Sequence, residues 1–162
     1  MMGKLSPYLK ISKNCGTSAG CFPVGGYRYI DNSATEDPDA ANFRAKVQLA
    51  DGSLLSVFIR TSDCSRESGP TPALKSVCGD VEVDVNGLKG PNVFGKDFFR
   101  FYITKYGIIP KGTAPDTDIL FSNDCVGNSG YGEGCAAWVI YNENMDYTKC
   151  STLSWNGPKT CP

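Results

Sequence analysis

Eight cysteines, Cys15, Cys21, Cys64, Cys78, Cys125, Cys135, Cys150 and Cys161, divide this chain of 162 residues into clipped intervals. Their number is even, and none stands in a Cys-x-x-Cys pair. The spacings of thioredoxin-like redox motifs and of four-cysteine zinc knuckles are therefore missing. Eight cysteines permit roughly a hundred pairings. Sequence neighbours fall into four pairs, each enclosing a loop rich in Gly, Ser, Pro or Asn, as in Cys15-Gly-Thr-Ser-Ala-Gly-Cys21. Such loops hold too few apolar groups to anchor themselves by burial, and a disulfide supplies about 2–4 kcal/mol of constraint. Sequential pairing in an oxidising compartment is the favoured expectation. Eight reduced thiols in a cytosolic protein is the competing one, disfavoured because cytosolic cysteines seldom sit in polar loops.

The chain contains no histidine. Ser-His-Asp and Cys-His catalysis is excluded, and so are His-ligated zinc, haem and non-haem iron. An enzyme would have to work with carboxylates, Lys, Tyr or Cys alone, and no enzymatic role is expected. Sixteen Lys and Arg against 17 Asp and Glu leave a net charge of −1. With no basic run, no nucleic-acid partner is expected. Apolar residues make up 41%, enough for a core, and 18 Gly with 10 Pro imply many turns.

Met1 to Pro7 has no apolar signal-peptide core, and the longest apolar run, Cys135 to Tyr141, falls far short of the ~20 residues that span a bilayer. If the cysteines are oxidised, an export signal is expected upstream, and the chain is expected to be an N-terminally truncated piece.

Residues 4–13 read as the last turns of a helix or as an extended lead-in. Tyr27 to Ala41, with Asp31, Glu36, Asp37 and Asp39, reads as a solvated excursion. Phe43 to Leu49 alternates apolar and polar residues, and Leu54 to Ile59 resumes after Ala50-Asp-Gly-Ser53. Asp-Gly between two such runs predicts a hairpin with a type I′ turn. Val81, Val83 and Val85 alternate with Glu82 and Asp84 as in a half-buried strand. Asp97 to Thr104 is its return, with Phe99, Phe101 and Ile103 on one face. Gly107 to Pro115 reads as irregular or a short edge strand, and Ala136 to Asn144 as a short helix. These elements predict one domain over residues 1–162, of the α+β class: an antiparallel sheet of about four strands, disulfide-tied loops and a short C-terminal helix.

Four stretches then carry a resemblance. They are Leu9-Lys-Ile-Ser-Lys-Asn-Cys15 with Gly20-Cys-Phe-Pro23, Leu49-Ala-Asp-Gly-Ser53, Val83-Asp-Val-Asn-Gly87 with Lys89-Gly-Pro-Asn92 and Gly95-Lys-Asp97, and Gly134-Cys-Ala-Ala-Trp-Val-Ile-Tyr-Asn-Glu-Asn-Met-Asp-Tyr147. In this order they resemble the globular head of bacterial type IV pilins and type II secretion pseudopilins. The resemblance implies a pilin-like head, a long N-terminal helix packed on an antiparallel sheet, and assembly into a filament after membrane insertion and leader processing. It implies other pilin or pseudopilin subunits as partners, engaged through an N-terminal helix missing from this sequence, and membrane contact only through that helix. It implies a location in the periplasm or at the cell surface. The fragment alone is expected to be a monomer. The alternative is a free-standing secreted adhesive or ligand-binding module.

Asp84, Asn86, Asn92 and Asp97 place oxygen ligands on a Gly-rich loop between two strands, and calcium takes 6–8 oxygens. Some major pseudopilins use a calcium-stabilised loop, which the resemblance extends to this one. The spacing departs from the EF-hand pattern, and two carboxylates predict only modest affinity, about 10⁻⁴–10⁻³ M. An Asn-Gly turn with a solvated loop is the competing reading. Asp116, Asp118, Asn123 and Asp124 form a second acidic loop, read as solvated, with a second metal site as the disfavoured alternative. Tyr27, Tyr29, Tyr131, Tyr141, Tyr147, Trp138 and Trp155 offer a sugar platform or, the favoured use, packing. Glu133 and Glu143 offer a glycosidase pair that nothing marks as lining a cleft.

Overall fold

The computed structural model describes residues 9–162. Six strands, β1 (Ile11–Gly16), β2 (Ala45–Leu49), β3 (Leu54–Ile59), β4 (Val77–Asp84), β5 (Phe98–Thr104) and β6 (Gly107–Pro110), form one antiparallel sheet in the order of the sequence. Among the described residues, helix is confined to short pieces toward the C-terminus. The longest are α1 (Phe121–Asp124) and α2 (Ala136–Asn142).

The expected α+β class with about four strands is therefore wrong: the regular structure of the described residues is mostly one six-stranded antiparallel sheet. Two segments account for the difference. Residues 11–13, read as a helix end or lead-in, belong to β1, which pairs with β2 across two register shifts. The remainder of the expected helix end, residues 4–8, lies outside the described residues. Gly107–Pro110 adds an edge strand paired to β5. Both gains are edge strands, which need one partner and carry weak periodicity of their own.

The hairpin between β2 and β3 closes differently from the expected type I′ turn. Gly52 donates its N–H to Leu49 O at 3.1 Å, and Leu49 N donates to Ser53 O at 2.8 Å. Of Asp51 and Gly52, only Gly52 has positive φ, at 93°. This is a type I turn closed by a glycine bulge, a solution that leaves Asp51 in ordinary backbone space.

The two sheet faces differ. One carries Val47, Leu55, Val57, Val81, Val83, Phe101 and Ile103. The other carries Lys46, Ser56, Glu82 and Arg100 in one cross-strand row, flanked by Leu54, Asp84 and Phe98 and by Phe58, Asp80 and Tyr102. Loops and the C-terminal pieces fold over this second face. Cys21, Phe22, Tyr27, Leu54, Phe94 and Phe98 form one cluster there. Phe121, Cys125, Cys135, Trp138 and Tyr147 form another, in which Phe121 stacks on Trp138 with centroids 4.2 Å apart.

Two expectations fail for this reason. Strand β4 is not half-buried: Asp80, Glu82 and Asp84 are all covered. Residues 27–41 are not a solvated excursion, since Tyr27, Ile30 and Asp39 are buried. Asp39 instead organises the first cysteine loop. Its carboxylate accepts N–H bonds from Gly20, Cys21 and Phe22 at 2.7–3.0 Å. Lys46, fully buried beneath it, donates to Asp39 O and Ala41 O.

The disulfides join Cys15 to Cys21, Cys64 to Cys78, Cys125 to Cys135 and Cys150 to Cys161. Four disulfides place the chain in an oxidising compartment, extracellular or periplasmic. Among the described residues no helix is long and apolar enough to cross a membrane.

Candidate functional site

Three regions could carry function: the loop between β4 and β5, the charged row on the covered face, and the apolar face opposite.

The structure brings Asp84, Asn86, Asn92 and Asp97 together. Asp84 ends β4 and Asp97 precedes β5, so the strands hold the two carboxylates at the base of one loop. Asp84 Oδ1 accepts the N–H groups of Asn86 and Gly87 at 3.1 and 2.8 Å, and Oδ2 accepts the Tyr27 hydroxyl at 2.5 Å. Asp97 Oδ2 accepts Asn92 N and Asn86 Nδ2, and Oδ1 accepts Val93 N at 2.6 Å. Gly87 has φ 72°, and a Cβ there would stand 2.1 Å from Gly52 O, so the loop seats directly on the β2–β3 turn. Burial pushes Asp84 above its ordinary value against the opposing pull of its hydrogen bonds, and burial followed by the Asp84 contact pushes Tyr27 up.

Every carboxylate oxygen of this loop thus has a donor. Asn86 Oδ1 and Asn92 Oδ1 are buried without a hydrogen-bond partner among the described residues. A calcium ion would have to displace N–H and O–H donors to reach the carboxylates. The residues fit a hydrogen-bonded clamp better than a calcium site. Among the described residues no group of three His, Cys, Asp or Glu side chains is placed to hold a metal.

The second acidic loop is likewise committed to structure. Asp116 accepts N–H bonds from Gly112, Asp118 and Ile119, and Asp124 accepts them from Tyr131 and Gly134. Asp118 pairs with Arg66, and Asn123 accepts the Ser122 hydroxyl. Its expected solvation fails at Asp116 and Asp124, both buried. The aromatics do not form one platform. Tyr27, Trp138 and Tyr147 are core, Tyr29 contacts Tyr131 at 4.6 Å, and Trp155 donates to Gly112 O. Glu133 pairs with Arg100, whereas Glu143 ends α2 at φ 53° and has no part in that network.

Sequence reasoning missed the charged row. Glu82, 2% exposed, receives Arg44 Nη1 at 2.9 Å and Arg100 Nη2. Arg100 also reaches Glu133, and Lys111 Nζ lies 2.8 Å from Asp80 Oδ1. Arg60 Nε donates to Asp80 Oδ2 at 2.8 Å. Burial pushes the Lys111 amine below its ordinary value, against the pull of Asp80. Asp80 is held below its ordinary value by Lys111 and Arg60, although burial acts the other way. The available signal was Arg100 inside the aromatic run Phe98-Phe-Arg-Phe-Tyr102, opposite the acids of β4.

On the opposite face, Leu9, Leu55, Val57, Val81, Val83, Phe101, Ile103 and Ile108 line an apolar trough of about 450 Å³. Ile108, on β6, is 62% exposed at its border. Comparison with protein-family profiles, with curated proteins and with solved structures finds no match to this chain.

Proposed function

We propose that the chain is a non-enzymatic structural subunit, the outward-facing head of a filament protein of the type IV pilin and type II secretion pseudopilin kind. Other subunits of that kind are its partners, met through a helix N-terminal to the sheet. Membrane contact before assembly runs through the same helix. In this reading the mature head is displayed at the cell surface or in the periplasm.

The observation that carries the reading is the apolar trough. On this sheet face Val57 and Val81 are buried while Leu55, Val83, Phe101 and Ile103 stay partly exposed, leaving an apolar groove that a further apolar element would cover with a gain of about 25 cal/mol per Å² buried. Leu9 stands at its edge, so a helix leading into β1 would arrive alongside it. The charged row, in contrast, is arranged as paired structural ions, and no nucleophile with an adjacent base stands out from it. The motif resemblance supports the filament reading, and the trough supports a helix packed against this face.

The test is the reading frame upstream of Met1, followed by localisation of the product in its native cell. The reading expects a short basic leader, then about 20 apolar residues with a glutamate near their start, and protein in sheared filaments. An ordinary secretory signal and a free product in the medium would replace it with the free-standing binding module.

A further inference from the structure

Within the charged row, one contact sets an amine against a carboxyl with no water between them. Lys111, which follows β6, reaches back across β5 and places its Nζ 2.8 Å from Asp80 Oδ1 on β4. Both side chains are 2% exposed. The Lys111 backbone is fixed on two sides, donating to Arg100 O and accepting from Ala137 N. The amine lies over the ring of Tyr102, 4.6 Å from its centroid. An amine sealed in this way meets no substrate from solution, and the nearest electrophile is the Asp80 carboxyl.

Three features prepare this pair for more than ion pairing. Glu133 Oε2 stands 3.9 Å from Lys111 Nζ, while its Oε1 is held by Arg100. This second carboxylate is about 1 Å short of proton-transfer distance. Arg60 Nε donates to Asp80 Oδ2 at 2.8 Å, which polarises the carboxyl and leaves Oδ1 to the amine. Oδ1 itself has no hydrogen-bond partner among the described residues, so the amine stands close to it but off the hydrogen-bonding direction. Burial pushes the amine below its ordinary value, toward the neutral form that carries a lone pair. Burial acts to raise Asp80, but Lys111 and Arg60 hold it lower and ionised, so its proton has to come from Lys111.

We propose that Lys111 and Asp80 condense to an intramolecular amide. One proton passes from the Lys111 ammonium to Asp80 Oδ1, which turns the ion pair into a free amine and a carboxylic acid at unchanged total charge. The Nζ lone pair forms the bond to Cγ, and Arg60 stabilises the negative charge that develops on Oδ2. Glu133 takes a second proton from Nζ and delivers it to Oδ1, and the Cγ–Oδ1 bond breaks to release one water. One ammonium and one carboxylate are consumed, and one amide and one water are formed. Two held reactants need no encounter. Condensation removes two charges that burial makes costly, and the sealed site keeps water from reversing it. The bond ties β4 to the segment after β6, across the intervening β5. It forms once per chain, consumes its own nucleophile and is independent of the filament reading.

The test is the mass of the folded, oxidised chain after its disulfides are reduced in denaturant. The expected result is a chain lighter than its sequence by one water, and a tryptic fragment in which residues 76–89 are joined to the segment that begins at residue 106. Lys111→Arg keeps the positive charge and is expected to show the full mass. Glu133→Gln is expected to stay mostly at the full mass. The joined fragment decides the matter in the parent alone, whether or not the variants fold. A parent at full mass leaves a plain buried ion pair and overturns the proposal. A water loss that persists in Lys111→Arg also overturns it, and places a succinimide at Asp51-Gly52 instead. Full condensation in Glu133→Gln overturns the proton route through that residue.

Discussion

Asp39 illustrates how one side chain organises a segment that composition alone reads as solvated. It accepts three consecutive backbone N–H groups and covers the buried Lys46. Asp39→Asn weakens these charge-assisted bonds and can set an amide N–H against that of Gly20, and an unfolding free-energy loss of about 2 kcal/mol is expected in urea melts. Burial raises its pKa, but the N–H groups of Phe22, Gly20 and Cys21 outweigh it and hold the carboxyl below its ordinary 3.8. The unfolded state therefore binds more protons in the window below that value. The contribution of Asp39 is complete above about pH 4 and is lost as pH falls through the folded-state value. A urea series from pH 5 to about 2 should show a shallower acid decline for Asp39→Asn than for the parent. What hid these residues from sequence reasoning is general. Acids alternating with valines along a strand look solvent-facing, and nothing local says that a distant loop covers Asp80, Glu82 and Asp84 or that Arg44 and Arg100 lie beside them.

At the scale of elements, turn chemistry and strand pairing were largely readable, and their closures were not. The β2–β3 hairpin announces itself through Asp51-Gly52, yet the bulge that closes it depends on which residue takes positive φ. The Asp84–Asp97 loop was legible as a unit because its Asn, Gly and Asp residues cluster. Its role as a clamp was not, because the donors Tyr27 and Val93 are assigned only by the fold. Gly87→Ala forces a Cβ against Gly52 O and an unfavourable φ, and should cost about 2–4 kcal/mol. Hydrogen exchange should then accelerate in residues 49–53 as well as in the loop itself. Melting curves in millimolar calcium and in chelator should coincide; a rise with calcium would reinstate the metal. Replacing Cys125 and Cys135 together by Ser opens a ten-residue separation within the aromatic cluster and should cost about 3 kcal/mol, read by denaturant titration.

Across the whole molecule, a strictly sequential meander carries its loops and most of its aromatic core on one face and a trough on the other. The periodicity of β4 and β5 pointed to the valine face as the core. That face is apolar, but the larger aromatic clusters formed opposite, where Phe98 and Tyr102 meet the C-terminal segment. Period-two patterning identifies two faces without saying which neighbour each will find. Ile103→Lys, at a partly exposed trough position, should change stability by no more than about 1 kcal/mol. The same change should lower the fluorescence of an apolar dye bound to the chain, and should prevent incorporation into filaments if the trough seats a helix.

The disulfides hold a consequence for how such a chain reaches its final state. Each joins a cysteine to the next one along, and the widest separation is 14 residues. As the polypeptide leaves a translocation pore, each thiol meets its proper partner before the following pair has emerged. Oxidation in order of arrival is already oxidation in the correct pattern. A simple thiol oxidant suffices for this protein, and an enzyme that reshuffles mispaired sulfurs has nothing to repair.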